Sequence, residues 1–349
     1  MKDEQVVMES AADAAYKGED PPARLEIHIR RLKAKYNADG YLIISLAHNI
    51  LLGSNDRIKL IDFGIAKELS TSLLSHGATT AGAGKHNYLS PEAATGYRID
   101  ENTKGYGLKT DIWSTGCVVL EMTTGKRPWN EHDPRTVLYP IGNGNTPPIA
   151  DDVPSDVKAF LALTFIVDPA KRPSAEDLLK DKLLAGITSD DSGKAGTSSA
   201  DRGNADTTKE RKFSDFKRKE DGFLGRGAYG TVWSYQDMKT DETIAIKEID
   251  AVGSLRTKEG EALLNTVKIM REISQYKHQH IVQYYFEHND EATDKWYIGM
   301  EYLTGGSLTK KIAGQPLTEY KLRRYTYQIL CGIQFLHGKH LAHRDIKCK

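Results

Sequence analysis

The strongest constraint on the fold of this chain is a glycine-rich segment that lies between two strand-like stretches. LGRGAYGTVW at 224–233 has the spacing G-x-G-x-x-G at Gly225, Gly227 and Gly230. The same spacing occurs in dinucleotide-binding folds, where a helix follows the glycines. Here a second strand pattern follows, and TIAIK at 243–247 continues it. This order predicts a glycine hairpin whose backbone N–H groups can approach phosphate.

The composition is that of a chain with a substantial core and no bulk charge. Of its 349 residues, 39% are hydrophobic and 28% are charged, which allows one large domain or two modest ones. Lysine plus arginine and aspartate plus glutamate number 48 each. Balanced charge gives no general attraction to nucleic acid or to an anionic membrane, so we expect neither partner.

The cysteines and the apolar runs indicate the compartment. Cys117, Cys331 and Cys348 lie far apart without metal-ligand spacing, which favours a reduced intracellular protein over a disulfide scaffold. The run YLIISLA at 41–47 is too short to span a bilayer and lacks the layout of a signal peptide. We therefore expect a soluble, cytoplasmic protein.

A break in composition at 186–211 divides the chain. This stretch has almost no large apolar residues, so burial cannot offset the entropy lost on ordering it, and we expect a flexible linker. Before the break, helical spacing at 156–184 is interrupted by DPAKRP, which predicts two helices and a turn. Residues 1–48 stay unassigned, since RLEIHIRRLKAKY fits either a basic amphipathic helix or a loosely ordered tail.

After the break, strand patterns come first and a long helix pattern follows. WYIGMEYL at 296–303 is typical of a strand, and a helix is predicted at about 257–276. A second helix is predicted from 318 to 336, where apolar residues recur at helical spacing. These residues are Leu322, Tyr325, Ile329, Ile333 and Leu336.

Three segments together resemble the signatures of protein kinases. The glycine segment resembles the loop over the ATP phosphates, LAHRDIKCK at 341–349 the catalytic loop, and IDFGIAKEL at 61–69 the DFG segment. The segments GGSL, HRDIK and TTGKRPW most resemble the corresponding sequences of the mitogen-activated protein kinase kinase kinase group. The resemblance covers about 49–184 and 212–349. It implies an α+β, two-lobed kinase fold with a small antiparallel β lobe and a larger helical lobe.

The order of the segments departs from that of the family. Protein kinases have the glycine loop first, HRD second and DFG third, whereas DFG comes first here. The family also has an Asn five positions after the HRD Asp, and joining Lys349 to Asn49 on paper gives that spacing in HRDIKCKNILLGSNDRIKLIDFG. The resemblance therefore implies a circularly permuted kinase.

For ATP, the resemblance implies a cradle and an apolar slot. Lys247 resembles the lysine that contacts the α and β phosphates. Glu272 matches the helix glutamate that pairs with this lysine, although the residue alone fits a solvated helix carboxylate better. Met300 takes the gatekeeper position, and the adenine-facing segment runs from Glu301 to Leu303. The full set of implied nucleotide contacts is Leu224, Gly225, Gly227, Gly230, Val232, Ala245, Lys247, Met300, Glu301, Leu303 and Leu51.

For phosphoryl transfer, the resemblance assigns a catalytic carboxylate and two metal ligands. Asp345 would orient the substrate hydroxyl or accept its proton. Lys347, two residues on, is the residue typical of serine/threonine kinases. Asn49 and Asp62 would hold Mg²⁺ through oxygen atoms. The implied reaction moves the γ-phosphate of ATP to a protein serine or threonine, with a downstream kinase as one candidate substrate.

Further kinase motifs follow DFG in the usual order. SPEAA at 90–94 stands for the APE motif, and its Glu92 is expected to pair with Arg172. DIWSTGCVVLEMTTGKRPW at 111–129 matches a central helix of the large lobe, with Asp111 bracing the catalytic loop.

These matches divide the chain into five parts. They are the unassigned segment 1–48, the later part of the large lobe at 49–185, the linker at 186–211, the small lobe and hinge at 212–303, and the first part of the large lobe at 304–349.

Two features weigh against full activity. Lys85 follows Gly84 where the family has threonine, and the permuted junction separates Asp345 from Asn49. A free carboxylate at Lys349 beside the metal site, and residues 41–48 leaving through the substrate cleft, would slow turnover. The alternatives are a nucleotide-binding pseudokinase or docking module, and an inactive fusion of two kinase fragments. Thr79 and Thr80 are candidate phosphorylation sites or ordinary loop threonines.

Overall fold

The computed structural model describes most of both kinase-like parts of the chain. The described ranges are 49–62, 67–68, 86–95, 106–133, 136–187, 211–227, 230–250, 267–290 and 292–348. The predictions on residues 1–48, Phe63 and Gly64, Thr79 and Thr80, Gly84 and Lys85, the linker from 188 to 210, and Lys349 lie outside these ranges. Within the ranges the fold is α+β, as expected.

The part of the chain before the linker begins with short strands and continues with helices. Strands β1 (Ile50–Leu52) and β2 (Ile58–Leu60) form an antiparallel hairpin, and β3 (Lys67–Glu68) pairs with a strand near the other end of the chain. The helices are α1 (Pro91–Ala94), α2 (Tyr106–Thr124), α3 (Leu138–Gly142), α4 (Ser155–Thr164) and α5 (Ala175–Leu178). The predicted pair of helices around DPAKRP is thus confirmed as α4 and α5. Ser174 caps α5 in a capping box with Asp177.

The part after the linker begins with a five-stranded antiparallel sheet. Its strands are β4 (Phe216–Gly227), β5 (Gly230–Asp237), β6 (Thr243–Asp250), β7 (Tyr284–Asp290) and β8 (Lys295–Glu301), in the order β4-β5-β6-β8-β7. Side chains alternate between the two faces of a strand. Ile244 and Ile246 join an outer cluster with Phe216, Tyr235, Phe286 and Tyr297. Ala245 and Lys247 therefore face the opposite side, toward the rest of the protein.

Helices follow the sheet and complete the core. Residues 267–274 form α6, within the predicted helix at 257–276, whose first residues lie outside the described ranges. Helix α7 (Leu308–Ile312) is capped by the Ser307 side chain, and α8 (Glu319–Gly338) matches the predicted long helix. All five periodic apolar residues of α8 are buried, and each contributes about 1.5–3 kcal/mol by leaving water. β9 (Leu341–Ala342) pairs with β3.

The β1–β2 hairpin packs against residues of the part of the chain that follows the linker. Leu52 exchanges backbone hydrogen bonds with Gly305 and Gly306 at 2.8 Å each. The backbone N–H of Ile58 donates to Oε1 of Gln328 in α8 at 2.8 Å. Ile50, Leu52, Ile58 and Leu60 share one buried core with α2 and α8. The two parts of the chain therefore form one continuous hydrophobic core.

Candidate active site

Asp345 accepts hydrogen bonds from both parts of the chain. Nδ2 of Asn49 donates to Oδ2 of Asp345 at 2.5 Å and to its backbone oxygen at 2.6 Å. Nζ of Lys347 also contacts Oδ2. Within the described ranges Oδ1 of Asp345 has no partner, and the side chain is partly exposed. The sequence-predicted residues Asn49, Asp345 and Lys347 are thus brought together around one carboxylate.

Asp111 holds the backbone of this loop from below, as expected. It lies in α2, is fully buried, and accepts from the backbone N–H groups of His343 and Arg344 at 2.8 and 2.7 Å. Burial opposes its ionisation, but hydrogen bonding and the charge of His337 lower the pKa of Asp111 below its usual value. Arg344 has φ +64°, a strained conformation that needs such fixed surroundings.

Asp62 lies opposite Lys247 in the cleft between the sheet and the large lobe. Oδ1 of Asp62 is 3.3 Å from Nζ of Lys247. Burial opposes ionisation of Asp62, but the charge and hydrogen bond of Lys247, together with His343 and Lys347, outweigh burial and lower the pKa of the carboxyl group. The preceding Ile61 carbonyl contacts Nε2 of His343 at 2.9 Å. Asp62 is therefore an ionised carboxylate next to the catalytic loop.

Glu272 lies on the solvent-facing side of α6. The residue is exposed, while Ile269, Met270 and Ile273 form the buried face of that helix. Among the described residues, the carboxylate that Lys247 contacts is that of Asp62. The helical period explains why Glu272 is exposed. The apolar residues one turn apart form the buried face of α6, so Glu272 lies on the face toward solvent. Lys247 therefore contacts Asp62 in this structure, and its pairing with Glu272 stays a prediction.

The glycine segment forms the predicted hairpin. Gly227 pairs with Gly230 across its end, and Gly225 pairs with Val232. Leu224 is the extra residue of a β-bulge between the pairs Phe223–Trp233 and Gly225–Val232. A Cβ on Gly230 would lie 2.1 Å from the Glu248 carbonyl oxygen, and its φ is +146°. Only glycine fits this position, where the backbone approaches its neighbour closely.

The residues of the predicted apolar slot lie at the junction of the sheet and the hairpin β1–β2. Val232 pairs with Lys247, and Ala245 pairs with Met300 on the neighbouring strand. Leu51 forms an isolated bridge with Ser307, on the face of β1 opposite to its buried residues. Val232, Lys247, Ala245 and Met300 thus lie on neighbouring strands of one sheet, and the adenine slot that they would form with Leu51 stays a prediction.

The hinge follows β8 directly. Leu303 packs against the core, next to Gly53. In the described part of the chain, the backbone groups of Tyr302 and Leu303 have no hydrogen-bond partner. Such groups at the edge of an apolar slot can bind the polar edge of a planar ring. Glu301 has its carboxylate bound to Lys59 at 2.7 Å, so its side chain is occupied within the protein.

The APE-like segment is anchored as expected. Arg172 is buried and donates to both oxygens of Glu92 at 2.8 and 3.2 Å. It also donates to the carbonyl oxygens of Lys109, Ile166 and Val167. This network fixes α1 against α2 and against the segment that follows α4.

The donor set fits magnesium. Nδ2 of Asn49 is bound to Asp345, so the amide oxygen of Asn49 points away from Asp345. The ionised carboxylate of Asp62 supplies further oxygen atoms, the ligands that Mg²⁺ prefers. No group of three or more His, Cys, Asp or Glu residues that could hold a metal ion occurs among the described residues.

Two contacts near the site have no counterpart in the sequence-based prediction. Lys59 binds Glu301, and Glu121 of α2 contacts the Tyr88 hydroxyl. Glu121 also hydrogen-bonds the buried Cys348 beside the catalytic loop, where burial raises the pKa of the thiol. Charged residues within strongly apolar stretches, KLID and VVLEMT, are the one signal that could have indicated these contacts.

The fold, the catalytic carboxylate and its partners define the class of this protein. The protein kinase domain model matches residues 47–184 and 218–349, which is more than half of the chain. The chain therefore belongs to the protein kinase family.

Particular relatives are mitogen-activated protein kinase kinase kinases. Mkh1 of Cytospora mali is 39% identical over 137 residues, 38% of this chain and 7% of that protein. MST11 of Pyricularia oryzae is 40% identical over 143 residues, 40% of this chain and 15% of that protein. Mitogen-activated protein kinase kinase kinase 4 of Mus musculus is 39% identical over 133 residues, 38% of this chain and 8% of that protein. The matches thus span a small part of these relatives, and the resemblance to their group is confirmed.

Among the described residues, no helix is both long enough and apolar enough to cross a membrane.

Proposed function

We propose that this chain binds ATP with Mg²⁺ and transfers the γ-phosphate to a serine or threonine of a protein. The observation that carries the proposal is the Asp345 carboxylate, which is held at Oδ2 by Asn49 and Lys347 and is free at Oδ1 within the described residues. A carboxylate fixed on one side and open on the other can orient an incoming hydroxyl group.

Each residue of the centre has a distinct role in this proposal. Oδ1 of Asp345 orients the substrate hydroxyl and receives its proton. Lys347 neutralises the charge of Asp345 and is positioned to contact the transferred phosphate. Asn49 and Asp62 hold the metal through oxygen atoms, and Lys247 contacts the phosphates. Bound MgATP supplies the phosphoryl group and neutralises the charge that develops on it.

The substrate in this proposal is a downstream protein kinase. Three relatives are named mitogen-activated protein kinase kinase kinases, and this name describes proteins that act on another kinase. Lys347 occupies the position that favours serine or threonine as acceptor. We place the activity in the cytoplasm, because the free cysteines Cys117, Cys331 and Cys348 suit a reducing compartment.

We further propose that the kinase domain is circularly permuted and slow. Asn49 and Asp345 are 296 positions apart along the chain, although the family has them in one short loop. The hydrogen bonds between them support a domain assembled from two exchanged parts. No continuous loop fixes their distance, and a displacement of about 1 Å can cost about a hundredfold in rate.

One observation favours a second candidate function, a nucleotide-binding module without transferase activity. Lys247 contacts Asp62 rather than a helix glutamate, and Glu272 is exposed. In such a module the bound nucleotide would order the domain for docking to a partner.

Magnesium-dependent ATP binding and phosphate transfer by the purified full chain would separate the two functions. The matched variants are Asp345→Asn, which keeps the shape of the catalytic residue, and Asp62→Asn, which removes a metal ligand. The kinase proposal predicts ATP binding by wild type and Asp345→Asn, and transfer by wild type alone. ATP binding without transfer by wild type would support the docking module, and absence of ATP binding would reject both.

A further inference from the structure

An ion pair connects the strand that leads to Asp62 with the hinge. Nζ of Lys59 in β2 is 2.7 Å from Oε2 of Glu301 at the end of β8. The two side chains are 13% and 26% exposed. Lys59 also donates to the Ile281 carbonyl oxygen at 3.3 Å. This pair is less exposed than a typical surface ion pair, so water screens it less.

A second donor binds the same oxygen atom of the Glu301 carboxylate. The backbone N–H of Gln283 donates to Oε2 of Glu301 at 3.2 Å. In return, the backbone N–H of Glu301 donates to the Gln283 carbonyl oxygen at 2.8 Å. The carboxylate therefore has one defined position, and the last residue of β8 is tied to the start of β7.

Lys59 itself lies in a fixed strand. Its neighbour Leu60 donates through its N–H to the His280 carbonyl oxygen at 2.9 Å and accepts from the Val282 N–H at 3.0 Å. Asp62 follows two residues after Leu60. One lysine side chain and one short strand thus connect Glu301 to the segment that contains Asp62.

The charge of the Glu301 carboxylate lies next to the proposed nucleotide site. Met300 precedes Glu301 directly and Leu303 follows two residues later; both pack against the core and both are among the proposed nucleotide contacts. Without Lys59, the partly buried Glu301 carboxylate would keep its hydrogen bond from the Gln283 N–H and would lose its cation. A buried charge without a counter-charge is strongly unfavourable. Outward rotation of Glu301 would relieve this charge and displace the hinge backbone.

We propose that Lys59 is a positioning residue for nucleotide binding, which acts through Glu301 on the hinge. The inference rests on the proposed ATP site. It adds a specific link between the adenine side and the metal side of that site, made by residues from the two separate parts of the chain.

Four variants of the full chain test this link. They are Lys59→Met, which keeps the side-chain length, Glu301→Gln, the double variant, and the charge exchange Lys59→Glu with Glu301→Lys. Lys311→Met is the matched control, because it breaks a lysine–aspartate pair of 2.9 Å with Asp56 that does not touch the hinge. The measured quantity is the dissociation constant of ADP, determined by calorimetry, together with hydrogen exchange of the backbone amides.

The proposal predicts about five- to tenfold weaker ADP binding for Lys59→Met, as expected for loss of a partly buried pair. The double variant should be no weaker than the worse single variant, and the charge exchange should recover part of the affinity. Amides at 281–283 and 299–303 should exchange faster in Lys59→Met, with those of α4 unchanged. Lys311→Met should bind ADP like wild type.

Other outcomes overturn the proposal. Unchanged ADP binding in Lys59→Met, or additive losses in the double variant, would show that Lys59 does not act through Glu301. A lower melting temperature with unchanged affinity and unchanged hinge exchange would indicate a stabilising ion pair only. If wild type binds no ADP, the proposed function fails, while the hydrogen-exchange comparison still tests the mechanical link.

Discussion

Nδ2 of Asn49 lies 2.5 Å from Oδ2 of Asp345, although 296 positions separate the two residues along the chain. Lys347 contacts the same oxygen atom. A hydrogen bond to a carboxylate is stronger than one between neutral groups, and this one joins the two parts of the chain at the proposed catalytic loop. The geometry of the site therefore depends on the packing of the β1–β2 hairpin rather than on loop connectivity.

Replacement of Asn49 by Ala should abolish most transferase activity in a protein that still folds. The variant removes both hydrogen bonds to Asp345 and a metal ligand, so we expect kcat to fall by at least about a hundredfold. The protein should still fold and melt at a somewhat lower temperature, because Lys347 remains on Asp345 and the two lost hydrogen bonds cost about 1 kcal/mol each. Asn145→Ala, at an exposed asparagine, is the control. Wild-type kcat in Asn49→Ala would refute the role of this residue.

Gly230→Ala should weaken both the fold of the small lobe and nucleotide binding. The added Cβ would meet the Glu248 carbonyl oxygen at 2.1 Å, and the strained φ adds about 1–3 kcal/mol. Chemical denaturation and ADP titration measure the two effects. Gly338→Ala, where a Cβ meets no atom within 4 Å, should leave both unchanged. Equal stability of the two variants would contradict the close approach seen at Gly230.

Much of the fold and several site residues follow from local pattern and spacing. The apolar period of α8 and the alternation in β5 and β6 report burial directly, so these elements were predicted correctly. The pairing of Glu92 with Arg172 and the contacts of Asp111 follow from motifs whose partners the family resemblance supplied. Such features depend on few residues, each with a characteristic side chain.

Arg172→Ala should unfold the large lobe at a lower temperature. Arg172 is buried and compensates the charge of Glu92 while satisfying three carbonyl oxygens. Its removal leaves a mostly buried carboxylate without a cation, at a cost of up to about 3–5 kcal/mol. Thermal unfolding at neutral pH measures the loss. Lys171→Ala, whose side chain is 78% exposed, should shift stability by less than about 0.5 kcal/mol. A similarly small effect of Arg172→Ala would contradict the network.

Stability should decrease as the pH falls from 7 to 5, partly through His280. Burial lowers the pKa of this imidazole from 6.5 to about 4, and its Nδ1 contacts the Ile58 carbonyl oxygen at 3.0 Å. Between these values the unfolded chain binds a proton that the folded chain does not, so acid favours unfolding, by about 2 kcal/mol at pH 5. His280→Asn retains a donor for Ile58 and should reduce this pH dependence. An identical pH dependence in the variant would exclude His280 as a source.

Longer-range relations were beyond the sequence. The orientation of Glu272 depends on which face of α6 meets the sheet, and the local sequence MRE at 270–272 does not determine that face. The pairing of Lys59 with Glu301 requires the hairpin β1–β2 to lie beside the hinge, which is a property of packing between distant segments. Contacts of this kind are set by the assembled core and not by local propensity.

Cleavage between the two parts of the domain tests the central claim most directly. A protease site introduced within 195–200 of the full chain allows cleavage after folding, and ADP binding of the product is then measured after size-exclusion chromatography. We predict that both fragments elute together and retain the ADP affinity of the uncut chain, because the contacts of Asn49, Leu52 and Ile58 with the second part are non-covalent and largely buried. Separation of the fragments, or loss of ADP binding in a co-eluting complex, would contradict a single site assembled from both parts.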